Sequence, residues 1–287
     1  MVSNQADLNR ALFLIALLIS ISTFSQQSSS KIEYGLPATK KFTPSEYGGE
    51  AQNLDFVQDE KGQLVVANTY GFLIYDGVRW KKFKPDNEGL PLSYAKGKSK
   101  RIYTGGTEFI GYLEPTLQGD YQYVDLTKKL PESEKVGLVW NTIIVDETIY
   151  FENTNSIISY SDDTLKVLSD DSKVNAIFEF EGEAYVSTKK GLYKVVKNRL
   201  KRIPQFDVLN GTSILNLFRL PNQDIAIISR FDGIHSWNAS GIKPIKPQLS
   251  KLLKESFVMK FKELSDGNLA IGTSNKGLII TDSKHIG

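Results

Sequence analysis

Four stretches of this chain share one shape: GFLIYDGVRW from Gly71, GLYKVVKNRL from Gly191, GIHSWNASGI from Gly233 and GLIITDSKHI from Gly277. Each is a glycine, a short apolar strand, a polar turn and another short strand. Two or three residues ahead of each glycine ends another apolar strand: LVVAN (64–68), AYVST (184–188), IAIIS (225–229) and LAIGT (269–273). A third strand comes before that one, in LDFVQDEKGQ (54–63), NAIFEFEGE (175–183), LNLFRLPNQD (215–224) and VMKFKELSDGN (258–268), and ends in the residues tight reversals require. Two weaker copies occupy residues 92–115 and 139–168. Gly71 and Gly191 stand 120 residues apart, three intervals of 40, and the next two intervals are 42 and 44.

A four-stranded antiparallel unit of about 40 residues is the size of one β-propeller blade. Helical repeats would show a 3.6-residue period with few turn residues, and a sandwich has no reason to repeat its own sequence. The expected fold is all-β, a propeller of about six blades over residues 51–287. Its ring is expected to be incomplete at the C-terminal end, with seven or eight blades in the full protein. The repeated glycine fits the reversal between second and third strands, where positive φ or a close backbone neighbour excludes a Cβ. Asp76-Gly77, Lys197-Asn198 and Asp282-Ser283 are read as the turns into the outer fourth strand. On this reading the sixth blade exposes the apolar face of Leu278-Ile279-Ile280 and a free edge, a self-association hazard unless residues 42–49 complete the ring.

Residues 11–22, ALFLIALLISIS, follow Arg10 and precede Thr23-Phe24-Ser25. Twelve residues rise about 18 Å as a helix, short of the roughly 30 Å hydrocarbon core, so residues 1–25 read as a secretory signal peptide cleaved after Ser25. An uncleaved anchor is the alternative. Residues 26–50 then lead into the first blade. The chain contains no cysteine, so an exported domain must be stabilised by its own core, and thiol catalysis, thiolate metal sites and lipid attachment are excluded. Two histidines, His235 and His285, are too few for a zinc site or a convincing catalytic triad. A net charge of +2 gives no field toward nucleic acid, and the basic runs at 96–101 and 197–202 read as solvated sheet edges. Asp162-Asp163 and Asp170-Asp171 lack the alternation of a calcium loop and read as turn residues. No cofactor is expected.

The segment LVVANTYGFLIYDGVRW, with its Asn and Gly ahead of an aromatic-Asp-Gly-x-x-Trp hairpin, resembles the blades of the two-component regulator propeller family of Bacteroidetes sensor proteins. GLPATKKFTPSEYGGEAQN (35–53) and GGTEFIGYLEP (105–115) resemble that family's first two blades. The resemblance spans roughly residues 33–287 and is most specific in the first two blades. It implies a periplasmic, or otherwise exported, ligand-sensing domain without catalysis. It also implies further parts of a longer protein: a triple-tyrosine module, a membrane helix, and a histidine kinase or helix-turn-helix output. A dimer of the full-length protein is among the expected arrangements.

In a propeller the loops between second and third strands, and those entering the innermost strands, share one face, where ligands usually sit. The candidates on the first set are Tyr70, Glu108, Lys189, Arg230, Asp232 and Lys276, and on the second Tyr94, Trp140 and Asn141. Aromatic faces mixed with charged groups suit an oligosaccharide or other polar ligand. Trp140 and Tyr94 equally fit a place wedged between blades. A rival reading is a propeller enzyme acting on polysaccharide, which needs converging carboxylates or a Tyr or His base at the channel mouth. Glu108 and Asp232 are the only acids expected there, on blades two and five. A third reading is a protein-docking scaffold.

Overall fold

The computed structural model describes residues 39–245 and 247–282, so the signal peptide and the outer turn at Asp282-Ser283 lie wholly or partly outside the described residues. The unit Phe42–Gly287 is a β-propeller of six blades built from twenty-three strands. Blade 1 is β1 (Asn53–Gln58), β2 (Leu64–Asn68), β3 (Gly71–Tyr75) and β4 (Trp80–Phe83). Blade 2 is β5 (Pro91–Lys96), β6 (Ile102–Gly106), β7 (Ile110–Pro115) and β8 (Tyr121–Asp125). Blade 3 is β9 (Asn141–Val145), β10 (Thr148–Glu152), β11 (Ile157–Ser161) and β12 (Thr164–Leu168). Blade 4 is β13 (Val174–Phe180), β14 (Glu183–Thr188), β15 (Gly191–Val196) and β16 (Arg199–Arg202). Blade 5 is β17 (Ile214–Arg219), β18 (Ile225–Ser229), β19 (Ile234–Asn238) and β20 (Gly241–Pro244). Blade 6 has three described strands, β21 (Val258–Glu263), β22 (Asn268–Thr273) and β23 (Leu278–Asp282). All pairings are antiparallel between sequence neighbours, the meander the repeat predicts.

Period-2 alternation gives each blade two apolar faces, and each face is buried against the next blade. Val65, Ala67, Phe72 and Ile74 of blade 1 pack on Tyr94, Ile102, Phe109 and Leu113 of blade 2. Similar clusters join blades 2 and 3 around Phe151, 3 and 4 around Val186, 4 and 5 around Ile227, and 5 and 6 around Ile271. Among the described residues no such cluster joins blade 6 to blade 1. The other face of blade 1 is covered instead by residues 42–47, where α1 (Pro44–Tyr47) sets Phe42 and Tyr47 against Val66, Leu73 and Trp80. The 42–49 stretch therefore caps blade 1 and adds no strand. Leu278 and Ile280 are 66% and 52% exposed, as expected, whereas Ile279 turns inward onto the cluster shared with blade 5, because neighbours on a strand point to opposite faces.

The repeated signature has a local cause at the end of each second strand. In five blades a polar side chain there accepts the backbone N–H of a residue two or three further on: Asn68 from Tyr70, Asn153 from Asn155 and Ser156, Thr188 from Lys190, Ser229 from Asp232 and Thr273 from Lys276. Such side-chain turns fix the reversal that the glycine then completes. Gly71 has φ +148°, and a Cβ there would lie 2.6 Å from the Phe83 carbonyl oxygen. The outer turn after it is closed by Asp76, whose carboxylate accepts from Val78 and Arg79, with Gly77 at φ +97°. Lys197-Asn198 and Asp162-Asp163 each have positive φ at both residues, the hairpin geometry expected of turn positions. A helix the strand period gave no sign of, α2 (Pro247–Ser256), lies between blades 5 and 6 and packs Leu249 and Leu253 into their shared cluster.

Candidate functional site

The innermost strands do not run straight. Five of the six carry a register shift near their first residues, and in β13 it falls between Val174 and Ala176, setting Asn175 out of the ladder. Bulges of this kind re-aim side chains and occur beside functional sites. Three of these shifts, in β13, β17 and β21, lie beside a cavity of about 1170 Å³ lined by blades 3 to 6. Its wall is formed by the starts of β9, β13 and β17, by β21, and by the loops after β10, β14 and β18. This is the face on which the sequence places the candidates.

Four of those candidates, Trp140, Asn141, Lys189 and Arg230, line the cavity. Trp140 is 51% exposed and so stands in the cavity instead of between blades. The other five do not line it. Tyr94 is buried between blades 1 and 2 beside Asp55, and burial pushes its hydroxyl well above the usual tyrosine range. Tyr70 packs with the cluster under α1, with the Lys82 ammonium 4.3 Å from its ring centroid. Glu108 accepts from the Gly137 N–H at 3.2 Å and so ties one loop to another. Asp232 and Lys276 donate their backbone N–H groups to Ser229 and Thr273 within the second-to-third-strand turns.

The sequence reading did not include Glu152, Asn175, Lys260, Phe231 or Met259, all of which line the cavity. Glu152 is buried and accepts from the Ile177 N–H at 2.9 Å, while Asn141 donates to the Ile177 carbonyl at 3.0 Å, so blade 3 is fastened to blade 4 at one residue. Burial pushes the Glu152 carboxyl up, opposed by the Ile177 and Asn141 hydrogen bonds and by the charges of Lys260 and Arg230. Burial lowers the Arg230 guanidinium, and Glu152 acts against that. An acid closing the apolar run TIYFE was the visible sign of Glu152; nothing in the sequence marked Asn175. Asp55, on the innermost strand of blade 1, makes the equivalent fastening to the Tyr94 N–H of blade 2 at 2.8 Å, and burial raises its carboxyl too.

His235 lies half-buried on β19, outside this cavity, and burial lowers its imidazole; His285 is outside the described residues. Glu108 and Asp232, the two acids the enzyme reading relies on, do not line the cavity. What the site offers is an aromatic and thioether surface from Trp140, Phe231 and Met259 beside cationic and amide donors.

No family model and no curated protein matches the chain. Among solved structures it is similar to the extracellular domain of a hybrid two-component system, BT4673, from B. thetaiotaomicron, at 13% identity and a TM-score of 0.52, with 79% of this chain and 37% of that one covered. It is also similar to YCF48 bound to D1 peptide, at 12% identity and a TM-score of 0.58, covering 86% and 84%. A third likeness is to a catalytically inactive His-to-Ala variant of virginiamycin B lyase from Staphylococcus aureus with quinupristin, at 10% identity and a TM-score of 0.58, covering 80% of each. The chain thus spans 37% of the two-component-system domain. What the three share with it is the fold: this is a β-propeller domain.

Proposed function

We propose that the chain is an exported, non-catalytic sensing propeller of a signal-transduction protein, which binds a polar ligand in this cavity and passes the event to output parts of a longer protein. One observation carries this reading: the cavity holds a half-exposed tryptophan next to charged side chains that the fold does not consume, on the face where propellers take ligands. The likeness to an extracellular domain of a two-component system supports the signalling context, and the apolar run at 11–22 supports export. Among the described residues no helix is long and apolar enough to cross a membrane. An oligosaccharide fits a site of this mixed character, because a sugar ring offers an apolar face to Trp140 and hydroxyls to Asn141 and Lys189.

Of the three tryptophans, Trp80 is packed against Phe42 and Tyr47 and Trp237 against Phe206, so Trp140 alone reports the cavity. Titrating the protein with a panel of oligosaccharides should give a saturable fluorescence change that disappears in Trp140→Phe. A saturable change that survives in Trp140→Phe places the ligand elsewhere, and cleavage of any panel member by the purified protein overturns the non-catalytic reading.

A further inference from the structure

We propose that the ligand of this cavity is an organic anion, whose carboxylate or sulfate is held by Arg230 and Lys260 with the Asn175 amide as a further donor; the inference rests on the sensing reading above and names the chemistry it requires. Arg230 is set in place by its own backbone, whose N–H donates to the Ser213 carbonyl at 2.8 Å and whose carbonyl accepts from Val258 at 3.0 Å. Its guanidinium has five N–H donors in a planar fork. Among the described residues the protein supplies them only the Val258 carbonyl at 3.5 Å and the Met259 sulfur at 3.8 Å, both at the limit of a hydrogen bond. A fork fixed in place and nearly unoccupied matches a carboxylate or sulfate better than any uncharged acceptor.

The charges around it do not cancel. Lys189, Arg230, Lys260 and Lys262 line the cavity, and among the described residues none of the four forms an ion pair. The two carboxylates on the wall are fewer than these four cations, and Glu152 acts on Arg230 and Lys260 through space without pairing with either. Glu152 holds the Ile177 N–H of blade 4, and Glu179 accepts from the Gly182 N–H at 2.6 Å. The Asn175 Nδ2 is buried without a hydrogen-bond partner, an orphan donor on the bulge of β13. Buried donors left unpaired cost stability, so an acceptor that reaches the bulge gains this bond. Trp140, Phe231 and Met259 add apolar surface, so the anion is organic and not a bare inorganic ion.

The test titrates the full chain with trigalacturonate, with maltotriose and with sodium sulfate, reading Trp140 fluorescence and calorimetric heat. Trigalacturonate should bind, and weaken as sodium chloride rises from about 50 to about 500 mM, as pairing of exposed charges does. Arg230→Gln should weaken it by roughly 10- to 100-fold, the loss expected for a charge-assisted hydrogen-bond pair. Lys260→Gln, at an exposed position, should weaken it in the same direction and covers the case in which Arg230→Gln unfolds. Lys276→Gln, outside the cavity, should leave it unchanged. Saturable binding of sulfate alone, with none of trigalacturonate, overturns the organic anion. Maltotriose binding as tightly as trigalacturonate, indifferent to Arg230→Gln and Lys260→Gln, overturns the anion and leaves the sensing reading intact. Silence from all three probes overturns both.

Discussion

Replacing Asn68 with alanine should release the N-terminal cover of blade 1, because that one buried amide organises five hydrogen bonds. Its Oδ1 accepts from the N–H groups of Glu50 and Tyr70, both at 2.8 Å. Its Nδ2 donates to the Glu50 carbonyl at 2.7 Å, the Gln52 carbonyl at 3.0 Å and the Asn53 side-chain oxygen at 2.8 Å. Two amide protons serve three acceptors, so one bond is shared. Gly49 lacks a side chain for the same reason: a Cβ there would lie 2.9 Å from the Asn68 oxygen. At about 1 kcal/mol net per bond the loss totals about 5 kcal/mol. Glu50, Gln52 and Asn53 are exposed, so water replaces part of it, and the expected cost of Asn68→Ala is about 3–5 kcal/mol.

The effect should also be local. Urea unfolding gives the total, while hydrogen exchange should show the amides of Glu50 and Tyr70 losing protection before those of β10 or β18. Trp80, packed against Phe42 and Tyr47, should move to a more solvated emission at low denaturant. Asn68→Asp keeps the acceptor but sets a carboxylate against two carbonyls, so it should be worse at pH 7 than at pH 3.5. A loss below about 1 kcal/mol, with protection across residues 47–53 unchanged, would refute the hub.

Three further perturbations separate other terms. Gly233→Ala should cost about 2–4 kcal/mol in urea titrations, since φ is +76° and the new Cβ would lie 2.2 Å from the Ser250 hydroxyl, whereas Gly77→Ala, at φ +97° with open space around it, should cost only about 1–2 kcal/mol. Glu152 has its carboxyl raised above the ordinary 4.5, so the folded protein holds a proton that the unfolded chain has released, and stability falls as pH rises through that window and levels off above it. Glu152→Gln, which keeps an acceptor for Ile177, should shrink the difference in urea midpoint between pH 4.5 and pH 7; an undiminished difference assigns it to other groups such as Asp55. Leu278→Thr with Ile280→Thr should reduce any self-association seen by sedimentation, because both side chains are more than half exposed on an uncovered sheet face, and an unchanged profile would show that face to be inert.

Much of the blade architecture was legible because its causes are local. A glycine at positive φ, an Asp-Gly turn and an apolar alternation each act within a few residues, and each recurs in the sequence. Blade 2 was harder to read because Gly105 and Gly106 replace the polar turn residue: a Cβ at Gly105 would meet the Val139 side chain at 2.2 Å, a contact between blades that no local pattern announces. The helix α2 was hidden because the glycine spacing lengthens only from 42 to 44 residues across it. At the site, the face was legible and the lining only partly so. Trp140, Asn141, Lys189 and Arg230 follow from loop position, but Asn175 and Lys260 depend on bulges, and Tyr94 went to an interface because the register of β5 turned it toward Phe72.

The cavity and the uncovered flank of blade 6 meet on one row of side chains. Lys260 pairs across the sheet with Gly272 and Gly272 with Leu278, while Lys262 pairs with Ala270 and Ala270 with Ile280. Residues directly opposite in an antiparallel sheet share a face. Two of the four cations on the cavity wall, Lys260 and Lys262, therefore stand on the same face as the two exposed apolar side chains, with only a glycine and an alanine between them. Blade 1 is arranged differently: its corresponding flank is already filled by Phe42, Tyr47 and Trp80. On the proposed reading, an anion drawn onto Lys260 therefore acts on a blade face that carries exposed Leu278 and Ile280, so the proposed site and that uncovered face share one row of side chains.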